Sequence, residues 1–263
     1  MTVSRSVSVR GGRIGFQETV CLVTLGISAK VFFTSPAMAA ARVGTAGWYM
    51  TLFSAAVAAI GFLVICLLIR RFPDADIVHR FEQALGHPVG FVFSGLLAAG
   101  LFYIAATRLL GFTEVLRTYV YSYSPSCYVF SFALACVGVM SLLGLESLAR
   151  FSKLIMYIMR VSLMAVLVLG SQSYRLYPLE PILGYGLLNT VKAGAVRSSA
   201  YAEVILLAVF AQSFHGLKFI LREGLVSLLL SGAIIGSCIL CFSMAFSYKV
   251  ARKLPPPCTS WPR

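Results

Sequence analysis

Uncharged apolar runs recur along this chain at the length that matches a bilayer. Gly47–Ile69, Val89–Thr107, Cys127–Leu145 and Gly224–Tyr248 carry no Asp, Glu, Lys or Arg, and a helix of about 20 such residues crosses roughly 30 Å of hydrocarbon. Three further runs contain isolated charges: Ile14–Pro36 holds Glu18 and Lys30, Leu154–Ser171 holds Arg160, and Tyr201–Leu217 holds Glu203 and His215. The runs are too long and too evenly apolar for barrel strands, which alternate over about ten residues. The pattern predicts an all-α polytopic membrane bundle over residues 14–249, with spans near 14–36, 47–69, 88–112, 127–145, 153–172, 201–217 and 224–248.

Two connections have patterns of their own. Between Arg70 and Pro88, Ile77, Phe81 and Leu85 recur every fourth position among charged residues, which predicts a short amphipathic helix on the inner surface, stopped by Gly86. Gln172–Ser199 contains Pro178, Pro181, Gly184, Gly186 and Gly194, and reads as a long outer loop with short helical pieces. The Pro-rich tail, residues 250–263, is not helical.

Of the 263 residues, 59% are apolar and 12% charged, which excludes a soluble α/β enzyme, a disordered chain and a coiled coil. The net charge of +13 is scattered singly between apolar runs, so it reads as membrane topology and attraction to anionic lipid, and no nucleic-acid partner is expected. Arg5, Arg10, Arg13, Arg70, Arg71, Arg80, Arg150, Lys153, Lys218 and Arg222 fall on one side, against Arg42, Arg117, Arg175, Lys192 and Arg197 on the other with a terminal cluster of Lys249, Arg252, Lys253 and Arg263 that weakens the asymmetry; the balance favours a cytoplasmic N-terminus, residues 1–13. Ala37-Met38-Ala39 after an apolar run resembles a signal-cleavage site, but Glu18 and Lys30 within that run favour a retained first helix. Seven cysteines are an odd count, and Cys21, Cys66, Cys136, Cys238 and Cys241 lie in apolar segments as small hydrophobes.

Three stretches resemble the B-subunit permease family of spore-germination receptors, within the amino acid, polyamine and organocation transporter superfamily. They are Trp48 with its apolar run through Arg70-Arg71-Phe72-Pro73 to Leu85-Gly86; Gly144-Leu145-Glu146-Ser147-Leu148-Ala149-Arg150; and Leu179-Glu180-Pro181-Ile182-Leu183-Gly184-Tyr185-Gly186 through Lys192-Ala193-Gly194 to Ala202-Glu203. The resemblance implies a LeuT-like fold of about ten helices in two inverted repeats, with about seven present here and a ligand site at unwound first and sixth helices. Counterparts of helices eight to ten are missing after the seventh span, which reads as a truncation or frameshift. It also implies a spore inner-membrane location, a small-molecule germinant such as an amino acid, and receptor A and C subunits as partners.

The candidate ligand residues follow from that implied site. Gly26, Ile27 and Ser28 sit midway along the first span, where a helix break exposes backbone groups to a ligand; the competing reading is close helix packing. Lys30 is either a counter-ion near the break or a side chain snorkelling to the surface. Glu203 matches the glutamate of the family's unwound sixth helix and is expected to face the interior near the first-span break, with Lys30 as its candidate partner, against a plain first-turn acid. Tyr201 offers a hydroxyl to the same pocket or belongs to the interfacial belt. Tyr103, Thr107 and Arg108 lie within about one and a half turns and are candidates for the opposite wall; the competing readings are core packing for Tyr103 and Thr107, and an outward extension of the third helix for Arg108, Glu114 and Arg117, with Glu114 and Arg117 spaced to pair.

Gly232-Ala233-Ile234-Ile235-Gly236 is a small-residue face for helix packing. His79, His87 and His215 show no ligand spacing, and the Cys238/Cys241 pair sits within an apolar run, so no metal or cofactor is expected. No nucleophile-base, phosphate-loop or paired-carboxylate motif argues for an enzyme. Three functions follow: a germinant-sensing permease-like subunit, a secondary amino acid transporter, or a truncated remnant.

Overall fold

A computed structural model describes residues 15–33, 39, 42–71, 77–121, 123–174, 184–209 and 217–245. The N-terminus, the Phe72-Pro73 turn, the middle of the expected outer loop, residues 210–216 and the Pro-rich tail lie outside the described residues.

The described regular structure is helical: α1 (Phe16–Phe33), a 3₁₀ turn (Gly44–Ala46) leading into α2 (Gly47–Arg71), α3 (Ile77–Leu85), α4 (His87–Tyr119), α5 (Ser126–Leu142), α6 (Gly144–Gly170), α7 (Leu187–Arg197), a 3₁₀ segment (Ser198–Ile205), α8 (Leu206–Val209) and α9 (Leu217–Ala245). Gly44–Arg71, His87–Thr118, Gly144–Gly170 and Leu217–Ala245 are long and apolar enough to cross a bilayer. The chain is an integral membrane protein built as an all-α polytopic bundle.

The described helices differ from the expected spans at residues 201–217, which begin as the 3₁₀ segment and α8, and at the junction near Gly144. The uncharged run 127–145 yields only the 17-residue α5, while the run with Arg160 belongs to the 27-residue α6. Gly144 explains this: its φ of +84° is open to glycine and costly to other residues, so the chain turns there and α6 starts with Glu146, Arg150 and Lys153 in its first turns.

The short amphipathic helix forms where its spacing predicts. Gly86, at φ +86°, ends α3, and Pro88 opens α4. The two helices meet so closely that a Cβ on Gly90 would lie 2.5 Å from the Glu82 Cα. Phe81 and Phe93 approach across the same junction at 6.4 Å between ring centroids.

The core lies between α1, α2, the 3₁₀ segment and α9, around Ile27, Met50, Phe62, Tyr201, Leu228 and Ile235. Small residues permit the α2–α9 approach. Gly236 faces Thr51, Gly232 faces Ala55, and Gly224 abuts the Phe62 ring, so the two helices run antiparallel and the Gly232/Gly236 face packs as its composition indicates. Arg222 stacks over Phe16 at 5.1 Å, setting the start of α1 beside the start of α9. Helix α7 lies across α2: the Ser54 hydroxyl, 2.8 Å from Met50 O, is also 2.9 Å from Gly194 O.

Candidate functional site

The 3₁₀ segment Ser198–Ile205 spans eight residues, twice the usual length of such runs. Its entry is loosened by serines: the Ser198 hydroxyl donates to Ala195 O at 2.7 Å and Ser199 to Val196 O at 3.1 Å, and such back-bonding competes with the α-helical pattern. Its position is set by Tyr201, buried and donating to Thr51 O on α2 at 3.2 Å. With three residues per turn, Tyr201, Val204 and Leu207 share the core face, and Glu203 projects from a different one.

That face meets α4. Glu203 Oε1 lies 3.8 Å from Arg108 Nε, with the acid side chain 14% exposed and the arginine 40%. The separation is ion-pair contact but longer than a hydrogen bond. Arg108 Nε is itself buried and has no hydrogen-bond partner. Of the two expected readings of Arg108, this contact fits the cavity wall: its side chain turns toward the core elements. Glu114 and Arg117 instead line a groove between α4 and α5 with Thr113 and Ser126.

The first helix also departs from expectation. Helix α1 runs unbroken from Phe16 to Phe33, so the anticipated break at Gly26–Ser28 is absent. The physical reason is local: nothing approaches within 4 Å of a Cβ placed on Gly26, so no neighbour forces the backbone from its hydrogen-bonded path. Ile27 is a core residue. Ser28 is buried, its hydroxyl has no partner, and it opens on a groove of about 400 Å³ lined by Ile155, Met159, Leu163, Ile234 and Cys238. The Thr24 hydroxyl, one turn earlier, is buried without a partner as well. Glu18 belongs to the first turn of α1, where its carboxylate accepts from the Gly15 N–H at 3.2 Å. The Lys30 side chain lies outside the described residues.

Tyr103 and Thr107 are not brought to this site. Tyr103 is 70% exposed, and the Thr107 hydroxyl lies 3.0 Å from Tyr103 O and 2.9 Å from Ile104 O of its own helix. Glu203, Tyr201, Ile27 and Ser28 belong to the packed elements, with Tyr201 and Ile27 acting in packing.

Two features escaped the sequence reading. Glu223 on α9 is 3% exposed and its Oε2 has no partner; the signal was an acid placed directly before an uncharged run. His79 and His87, apart in sequence, flank one carboxylate, with Nδ1 atoms 3.5 and 3.1 Å from Glu82 oxygens, because the α3–α4 turn folds them together. Among the described residues no group of three metal-ligating side chains assembles.

Comparison with known proteins fits this architecture. The sequence model of the family described as "Spore germination protein" matches residues 13–260. Spore germination protein KB of Bacillus subtilis (strain 168) is 23% identical over 224 residues, covering 83% of this chain and 59% of that protein. The chain therefore spans 59% of the length of this curated relative. No solved structure matches significantly.

Proposed function

The chain belongs to the spore germination protein family, and from that membership we propose that it is a permease-like membrane subunit of a nutrient-germinant receptor. In this reading it binds a small germinant such as an amino acid, resides in the spore inner membrane, and passes occupancy to receptor A and C subunits. It is a LeuT-like arrangement in which α1 and the 3₁₀ segment stand for the first and sixth helices. The observation that carries the reading is Glu203: an acid mostly buried in a membrane bundle, held on a non-α segment opposite a basic side chain. Ionisable groups at such positions are costly and mark ligand or ion sites.

The long 3₁₀ run supplies the mechanical element. Its bonding is poorer than that of an α-helix, so few interactions are exchanged when Glu203 gains a ligand. A ligand preferring one arrangement of the segment shifts the bundle toward it, and partner subunits read the change. Glu203 is the ligand contact, and the Ser28 hydroxyl, on its own groove between α1, α6 and α9, is a second polar candidate. Tyr201 holds the segment to α2, Gly26 and Ile27 support Ser28, and Tyr103 and Thr107 carry no contact.

The test is direct binding to the purified full chain in lipid nanodiscs, using a panel of radiolabelled L-amino acids. Glu203→Gln is expected to weaken the best binder by about tenfold or more, equivalent to about 1.4 kcal/mol. Unchanged affinity in the variant removes Glu203 from the site and overturns the reading. Uptake of the same ligand into proteoliposomes would identify a transporter instead.

A further inference from the structure

We propose that Arg108 is the carboxylate-recognising half of the ligand site, so that the site selects zwitterions, with Arg108 taking the ligand's carboxylate and Glu203 its ammonium group. This deepens the proposed function and rests on it. Three observations carry it. The two charges come from separate elements, α4 and the 3₁₀ segment, and stand at 3.8 Å. The Arg108 Nε donor is buried with no hydrogen-bond partner, yet a directional donor of a guanidinium normally finds an acceptor. The guanidinium side chain is 40% exposed, so a ligand can reach its outer edge and meet the Nε donor as it parts Arg108 from Glu203.

A carboxylate matches that donor. Arginine's planar fork binds carboxylates through two parallel N–H···O bonds, and a ligand doing so would give Arg108 Nε the acceptor it lacks. An ammonium on the same ligand then faces Glu203, so each protein charge exchanges one partner for another and no net charge enters the bundle. A neutral ligand such as a sugar satisfies neither group, and a ligand with only one charge leaves the opposite group worse paired than before. Selectivity thus comes from the cost of leaving the unmatched charge. The exchange also loosens α4 from the 3₁₀ segment, coupling occupancy to a movement between two parts of the bundle.

The experiment crosses a change in the ligand with a change in the protein. L-leucine and L-leucinamide, which lacks the carboxylate, are measured for binding to the wild-type chain and to Arg108→Gln in nanodiscs. The wild type is expected to prefer leucine about tenfold or more, in line with one charge-assisted contact, and Arg108→Gln is expected to bind both alike. Arg108→Lys keeps the charge without the fork and should retain a reduced preference for leucine; it serves as the readout if the glutamine variant fails to fold. An equal preference for leucine in the wild type and in the folded variants shows that Arg108 does not read the carboxylate, and overturns this proposal while leaving the sensor reading intact. If the wild type binds no member of the amino acid panel, the sensor reading fails and this proposal with it.

Discussion

The contact between α2 and α9 and the array of α4 to α6 use the same apolar residues to opposite effect. In α9, 39% of the most apolar stretch is buried, and in α2 28%; in α4 and α6 only 6% is. Phe62 on α2 is 1% exposed, whereas Phe102 on α4 is 76% exposed. At the α2–α9 contact Gly224 abuts Phe62, while in mid-span Gly95 and Gly100 on α4 and Gly138 on α5 have nothing within 4 Å of a built Cβ. Hydropathy alone does not separate these regions, because lipid is as apolar as leucine and an outward phenylalanine carries no penalty there. Close packing is marked instead by small residues set against large ones, and by hydroxyls that reach a neighbouring backbone.

The largest difference is expected from emptying the packed site. Phe62→Ala should cost about 3–5 kcal/mol, while Phe102→Ala should stay within about 0.5 kcal/mol, measured by thermal unfolding in detergent. Equal losses would erase the distinction between the two regions. Overfilling gives a smaller contrast: Gly224→Leu should cost about 1–3 kcal/mol by forcing Phe62 aside, and Gly138→Leu should be neutral by the same assay. The smallest effect is a single hydrogen bond. Tyr201→Phe should lose about 0.5–1.5 kcal/mol and speed amide hydrogen exchange in residues 198–205 without changing exchange in α5; a uniform change would deny that Tyr201 anchors the 3₁₀ segment.

The same contrast explains what was legible in the sequence. The α3 helix and its stop at Gly86 were readable because Ile77, Phe81 and Leu85 stand out against charged neighbours, and a surface helix keeps that contrast. The Gly232/Gly236 face was readable because small residues at four-residue spacing have few other uses in a membrane helix. The unbroken α1 was not: Gly26 permits a break, but whether the backbone leaves its path depends on what packs against it, and nothing does. Arg108 was open to two readings for a similar reason. Near the end of a long apolar run, an arginine that snorkels and one that turns inward have the same sequence signature, and only the approach of the 3₁₀ segment decides between them. Glu203 was identified from the family motif, and its helical type from neither periodicity nor composition.

Arg108 and Glu203 meet across the boundary between the sparsely packed array and the core, and the central claim is that they act as one charged unit. A double-mutant cycle on thermal stability, with Arg108→Gln, Glu203→Gln and the combined variant in the full chain, tests this most directly. Removing either charge alone strands the other in the bundle, so the double variant should be less damaged than the sum of the singles, with a coupling of about 1 kcal/mol given the partial exposure of the arginine. Losses that add to within about 0.3–0.5 kcal/mol would show that the two charges do not interact, and would contradict the account.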